Sequence, residues 1–232
     1  MKKILFLLVA LVCSINMNAQ IVKFMKGNTV VAKYTVKEVD NIVIEESSKT
    51  GIAKRTGDID VVWVQLWKDG PKFAEYNVGA ANNKAEDCGG FYCWGKSIDK
   101  DSEEDYKKGT DALTGTDDTA TNLWGSNWRM PTEKEFEALV ANCDFEWTTV
   151  NDVNGCKFTG KNAYSSHSIF LPAAGYYSLH FNDLGKKGYY WTSTPDAKIN
   201  FNAHFLLSDS EDSYVASFGR SSSYSVRAVL NE

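Results

Sequence analysis

Asn127-Trp128-Arg129-Met130-Pro131-Thr132-Glu133-Lys134-Glu135-Phe136 turns an extended segment into a helix. Pro131 fixes φ and lacks an N–H, which suits a position just outside a helix. Thr132 and Glu135 stand at the spacing of a capping box, in which each side chain satisfies a backbone N–H of the first turn. Phe136, Leu139 and Val140 follow at helical spacing, so the predicted helix runs from Glu133 to Ala141 with one apolar face. Beyond it the pattern becomes β. Phe145–Val150 and Gly155–Thr159 flank Asn151-Asp152-Val153-Asn154, whose residue types predict a hairpin. Two further aromatic-rich blocks follow, Ile169-Phe170-Leu171-Pro172-Ala173-Ala174-Gly175-Tyr176 and Gly188-Tyr189-Tyr190-Trp191-Thr192-Ser193-Thr194-Pro195. Each sets large flat side chains beside a Pro or Gly that restrains the backbone, as in a loop-rich domain pinned by its core. None of the blocks carries a reactive constellation.

Val61–Trp67 and, at the far end, Tyr224–Leu230 are strongly β-prone and could pair, which would tie the domain's ends together. Between them, Ser97 to Asp118 holds Asp99, Asp101, Glu103, Glu104, Asp105, Asp111, Asp117 and Asp118 with few core residues, and reads as an exposed loop. Residues 20–46 alternate as short strands at Ile21–Phe24, Thr29–Val36 and Ile42–Glu45, a small β-meander. Residues 47–58 are poor in apolar side chains and contain Gly51 and Gly57, so they read as a linker, with the main domain over 59–232. Few helices, many short strands and long loops make the class α+β.

The 232 residues, 43% hydrophobic and 13% aromatic, suffice for a full core. Residues 1–19 read as a secretory signal: Lys2 and Lys3, an apolar stretch Ile4–Ile15, and Met17-Asn18-Ala19 before Gln20. The stretch is too short to span a bilayer, so no transmembrane segment is expected after cleavage. Cys13 follows Leu11-Val12 rather than a small residue, which favours cleavage after Ala19 over lipidation. Loss of Lys2 and Lys3 moves the formal charge from −5 to −7, against nucleic acid or an anionic membrane as partner. An exported chain meets an oxidising compartment, so Cys88, Cys93, Cys143 and Cys156 are disulfide candidates, with every pairing open. No His lies close to either cysteine pair, so no metal site and no cofactor are expected.

Trp128-Arg129-Met130-Pro131-Thr132 with Glu135 and Leu139, Gly155-x-Lys157-Phe158, Phe170-Leu171-Pro172-Ala173-Ala174-Gly175-Tyr176, Tyr190-Trp191-Thr192-Ser193-Thr194 and Ser225-Val226-Arg227-Ala228-Val229 occur in that order. Together they resemble the Fibrobacter succinogenes major paralogous domain family. That resemblance covers about Asp60 to Leu230 and implies a C-type-lectin-like fold of the formylglycine-generating-enzyme variant, whose termini meet and whose loops bind. It does not name a ligand. Formylglycine-generating relatives use a pair of thiols in the C-terminal half, and no cysteine follows Cys156 here.

No nucleophile elbow, zinc-protease motif or phosphate loop is present. His180 with Asp183 would make a base and its orienting carboxylate, but no nucleophile accompanies them. Asp99-Lys100-Asp101-Ser102-Glu103 begins like a calcium loop, yet Glu104 stands where the turn glycine is needed and Thr110 where the bidentate Glu is needed. What remains is the composition of 177–183, 200–204 and 221–224, rich in Tyr, Asn, Ser and His. Such segments offer aromatic area at low entropy cost beside short adaptable hydrogen-bonding groups. The ligand-binding candidates are therefore Tyr177, His180, Asn182, Asn200, Asn202, His204, Ser222 and Tyr224. For Phe181, Phe201 and Tyr224, a place in a β-strand explains the residue equally well. The function expected is an exported, non-catalytic module that binds a protein or glycan at the cell surface. An envelope or pilus assembly subunit is the alternative, with an enzyme related to formylglycine-generating oxidases third.

Overall fold

The computed structural model describes residues 21–26, 29–35, 49–99 and 106–231, and divides the chain into two compact units, 1–47 and 48–232. In the first unit, β1 (Ile21–Lys26) and β2 (Thr29–Thr35) pair antiparallel with Ile21 opposite Thr35, and the register shifts between Phe24 and Met25. The expected signal 1–19 and third strand Ile42–Glu45 lie outside the described residues.

The second unit begins with β3 (Thr50–Arg55), β4 (Ile59–Gln65), β5 (Lys72–Ala74), α1 (Thr119–Trp124), β6 (Trp128–Arg129) and α2 (Glu133–Asn142). It continues with β7 (Cys143–Val150), β8 (Val153–Gly160), β9 (Ser168–Pro172), β10 (Tyr176–Ser178) and β11 (His180–Asn182). β12 (Gly188–Pro195), β13 (Asn202–Ser208), β14 (Ser213–Gly219) and β15 (Val229–Leu230) complete it. The strands form sheets in the orders β3-β4-β5-β15-β6, β7-β8-β9, β12-β13-β14 and β10-β11. Among the described residues, two α-helices and many short antiparallel strands make the class α+β.

The core fills both faces of these sheets. β4 sends Val61 and Trp63 to one cluster and Val64 to the other, which Leu66 just beyond the strand joins, and β12 divides Trp191 from Tyr190 in the same way, as the two-residue strand period requires. Trp94, Trp128 and Trp191 are fully buried in the first cluster, while Phe136, Leu139, Phe158 and Tyr190 anchor the second. The aromatic blocks thus act as the pins their composition suggested. α2 begins at the expected capping box, Thr132 and Glu135 each bonding the other's backbone N–H, and Arg129 adds a two-pronged contact to Glu135 at 2.8 and 2.6 Å. The β7–β8 hairpin turns on Asn151 and Asp152 alone, at φ 46° and 64°, conformations that Asn and Asp tolerate.

Three expectations are corrected. Residues 50–55, read as linker, form β3, with Thr50 opposite Val64 and Arg55 opposite Ile59. The strand looks apolar-poor because its inward positions are small: Gly51 lies against the Trp63 ring, where a Cβ would approach within 2.5 Å, and Ala53 packs on the first cluster. Next, Val61–Trp67 and Tyr224–Leu230 do not pair, because β5 lies between β4 and β15. The chain before β15 is shaped instead around Arg227. That side chain is fully buried and donates to Asn77 Oδ1 at 2.9 Å, Ala74 O at 3.1 Å, Glu75 O at 3.0 Å and Phe170 O at 2.8 Å. Burial lowers its pKa to about 10. Finally, the 97–118 segment is only partly a solvated loop. Leu113 is buried and its N–H donates to Ser193 O at 2.9 Å, and Asp118, 1% exposed, caps α1. A six-residue helix is too short for its periodicity to be read from sequence.

Candidate functional site

The β10–β11 hairpin turns at Leu179, whose φ is +60°. Its stem is fixed by Tyr177 N donating to Ser223 O at 2.9 Å and Ser223 N donating to Tyr177 O at 3.0 Å. The Tyr177 ring meets Phe181 edge-on at 5.4 Å, and Phe181 meets buried Phe91 at 5.2 Å. Asn182 Nδ2 donates to His180 O at 3.0 Å, and His180 is exposed. Behind the hairpin Gly175 sits at φ +63°, where a Cβ would collide with the Asn182 carbonyl, so only glycine fits. Asp183 accepts from the Tyr189 hydroxyl at 2.7 Å rather than from His180.

A second group surrounds the turn before β13. Asp196 accepts from Lys198 N at 2.7 Å and Ile199 N at 3.1 Å, and also from the Ser217 hydroxyl. The Ser217 bond and then the backbone bonds hold its carboxyl below the usual carboxylate range. Asn200 is exposed, and Asn202 Nδ2 donates to Ser217 Oγ at 3.3 Å. His204 Nδ1 lies 3.1 Å from Glu133 Oε1, drawing that ring toward α2.

The segment 220–223 joins the two groups. Arg220 N donates to Phe201 O at 2.9 Å while Ser223 is bonded to Tyr177, and three residues span at most about 10 Å. The two groups are therefore joined across one short segment, with His180 and Asn200 exposed and Tyr177, Asn182 and Asn202 half-buried, and together they are termed the rim. Ser222 and Tyr224 belong beneath it: Ser222 is 7% and Tyr224 2% exposed, and the Tyr224 ring stacks on Trp191 at 4.2 Å. Tyr224 is a core residue, the strand-type place its alternation allowed. Exposed apolar side chains accompany these residues: Leu179 (78%) and Phe181 (46%) on the hairpin and Phe201 (64%) next to Asn202, whereas Phe218 (58%), opposite Ala203, is exposed on the other face of the β13–β14 ladder from Asn202. Their exposure is a tertiary fact, since nothing in their neighbours distinguishes them from inward strand residues.

No two of Cys88, Cys93, Cys143 and Cys156 are disulfide-bonded. Cys143 pairs opposite Gly160 and Cys156 opposite Trp147, so they stand four ladder positions apart, about 13 Å and well beyond the roughly 7 Å that a disulfide tolerates between Cα atoms. Cys93 Sγ donates to Ser221 O at 3.2 Å and Cys156 Sγ to Asp209 O at 3.7 Å. Burial pushes the Cys143 and Cys156 thiols up to about 12. Of the expected staples, Cys93, Cys143 and Cys156 are thus core thiols and Cys88 is a half-buried one.

Comparison with protein-family models, curated proteins and solved structures gave no match. The assignment of chemistry rests on the geometry. Among the described residues no three His, Cys, Asp or Glu side chains converge as a metal-binding group. The rim instead combines exposed aromatic and aliphatic area with short amide, hydroxyl and imidazole groups, over a floor of buried aromatics.

Proposed function

We propose that residues 48–232 form a C-type-lectin-like, non-catalytic binding module of an exported protein, and that its rim recognises a protein ligand at the cell surface. The observation that carries this reading is the exposure of Leu179, Phe181 and Phe201 beside His180, Asn182, Asn200 and Asn202 in the chain. Apolar side chains clustered at a polar border mark contact surfaces, and aromatic anchors with adaptable polar neighbours are the composition of paratopes. The rigidity beneath, from Gly175, the Tyr177–Ser223 bonds and stacked Tyr224, lowers the ordering cost of binding. The acidic chain favours a basic or neutral partner surface. A surface-protein and glycan array, probed with the wild type and with the triple variant Tyr177→Ala, Phe181→Ala, Asn202→Ala, tests it. Buried Tyr224 is left intact so that folding is preserved.

A second reading, an assembly subunit, draws on β1 and β2. Among the described residues they form a two-stranded sheet, a form that is marginally stable alone and gains by adding strands. Deleting residues 20–46 should then abolish assembly on cells while residues 48–232 stay folded; a truncated chain that still assembles excludes this reading.

A further inference from the structure

β14, Ser213-Tyr214-Val215-Ala216-Ser217-Phe218-Gly219, ends the β12-β13-β14 sheet and pairs with β13 without a bulge. The phase of that ladder is set at its two ends, where Asp209 N donates to Asp212 O at 2.9 Å and Arg220 N to Phe201 O at 2.9 Å. Main-chain bonds alternate along an antiparallel pair, so Tyr214, Ala216 and Phe218 turn theirs to β13 while Val215 and Ser217 turn N–H and C=O outward. Among the described residues nothing bonds those outward groups. We propose that β14 pairs antiparallel with β14 of a second copy of this chain, about a two-fold axis at Ala216.

The side chains point to the same contact. Tyr214 and Phe218 are 47% and 58% exposed, although Leu207 and Ala203, opposite them on β13, are buried. The apolar face thus runs on past the molecule's own core. α2 covers the other face, where His204 meets Glu133 and Val215 joins the second cluster. An open edge strand is a template for another strand, and proteins commonly blunt it with charge, proline or a bulge. The edge strands β3 and β7 carry such charges, Lys54 and Arg55 on one, Asp144 and Glu146 on the other. β14 has no charge, no proline and no bulge. In a chain of formal charge −5, it is a strip along which two copies meet without opposing like charges.

The free groups fix the register. Gly219 O already accepts from Ser222 N at 3.2 Å, and Ser213 N donates to Asp212 Oδ1 at 2.6 Å, so Val215 and Ser217 must supply the bonds. Val215 set opposite Ser217 of the second copy exchanges both bonds with it, and the two-fold repeats the pair. Ala216 then faces its own copy, and its small side chain suits a non-hydrogen-bonded pair, about 4.5 Å between Cα atoms. Tyr214 faces Phe218 of the second copy, and Phe218 faces its Tyr214, as cross-strand aromatic pairs. The next registers on either side oppose an aromatic to Ala216 and carry Phe218 to Asp212 or Tyr214 to Arg220. This symmetry about Ala216 selects a second copy over an unrelated strand.

Sedimentation velocity of the purified full chain over a concentration series should show a reversible monomer–dimer equilibrium. Tyr214→Lys with Phe218→Lys opposes lysine to lysine at both aromatic pairs and should weaken the dimer by at least about tenfold, with an unchanged circular dichroism spectrum because both side chains are exposed. Tyr214→Lys with Phe218→Glu opposes each lysine to a glutamate and should recover dimer relative to the double-lysine variant. Ala216→Cys should form a disulfide-linked dimer under mild oxidation, unlike the wild type, since Cα atoms about 4.5 Å apart lie within disulfide range. Any of four results overturns the proposal. These are a monomer at every concentration, an unaltered dimer in the double-lysine variant, equal dimerisation of the double-lysine and lysine–glutamate variants, or no cross-link in Ala216→Cys. The second of these would move the contact to another surface, such as β1–β2. All four concern β14 alone and leave the rim to its own array test.

Discussion

Replacing Asp118 by alanine tests how the acidic segment is built into the fold. The side chain is 1% exposed; Oδ1 accepts from Thr121 N at 2.9 Å, and Oδ1 and Oδ2 accept from Met130 N at 3.0 and 2.9 Å. Loss of the helix cap costs about 1 kcal/mol. Stranding the buried Met130 N–H adds about 1–3 kcal/mol, so Asp118→Ala should cost about 2–4 kcal/mol out of a total stability of about 5–15. Asp118→Asn keeps one acceptor oxygen and should lose about half as much, on the same reckoning. There is also a pH signature. Burial raises the Asp118 carboxyl above its ordinary value, although hydrogen bonds from Thr121 and Met130 oppose the rise. A raised folded pKa means that the native state holds the proton longer than the unfolded chain. This group's contribution is therefore full below the unfolded value and is lost as pH rises through the folded one. Urea unfolding of the purified wild type and variants, followed by circular dichroism, measures both effects. A loss below about 0.5 kcal/mol in Asp118→Ala, as for an ordinary surface acid, would refute the reasoning.

Other perturbations reach different parts of the molecule. Burial pushes the Glu135 carboxyl up, but bonds from Arg129 and Thr132 and the Arg129 charge outweigh it and leave the pKa below the ordinary value. Its stabilisation is therefore present above the unfolded carboxylate pKa and lost as pH falls through the folded one, so Glu135→Gln should cost about 1–2 kcal/mol at neutral pH and progressively less in acid; a cost that does not shrink in acid contradicts the assignment. The cysteines should titrate as thiols in the denatured protein, and Cys143 and Cys156 should resist alkylation in the native protein near pH 8, since their thiols titrate only at about 12. Mass spectrometry showing a native disulfide would overturn that. Gly175→Ala should lower the melting temperature by several degrees, because a Cβ would strike the Asn182 carbonyl at a φ of +63°; an unchanged melting temperature counts against the rigid hairpin base.

Features written in local chemistry were legible before the structure. The Thr132/Glu135 capping box and the Asn151-Asp152 turn use rules that act within a few residues, and the aromatic blocks became core because Trp128, Tyr190 and Trp191 have nowhere else to bury their area. What escaped depends on partners distant in the chain. Gly51 and Ala53 read as linker until the Trp63 ring is seen to need small neighbours. Tyr224 shares the composition of the binding candidates but lies under Trp191. Asp118 is one acid among many until Met130 is folded against it. For the rim, the polar half was readable from the Asn, His and Tyr of 177–204, whereas the exposure of Leu179 and Phe201 was not.

The central claim is that the rim is the working surface of a binding module. Its most direct test is the affinity of the Tyr177→Ala, Phe181→Ala, Asn202→Ala variant for whichever protein the wild type captures on a surface-protein array, with circular dichroism confirming the fold. Loss of two anchors and an amide from one rim predicts affinity weaker by at least about tenfold with an unchanged spectrum. Equal affinity in the folded variant would contradict the account and move the site elsewhere.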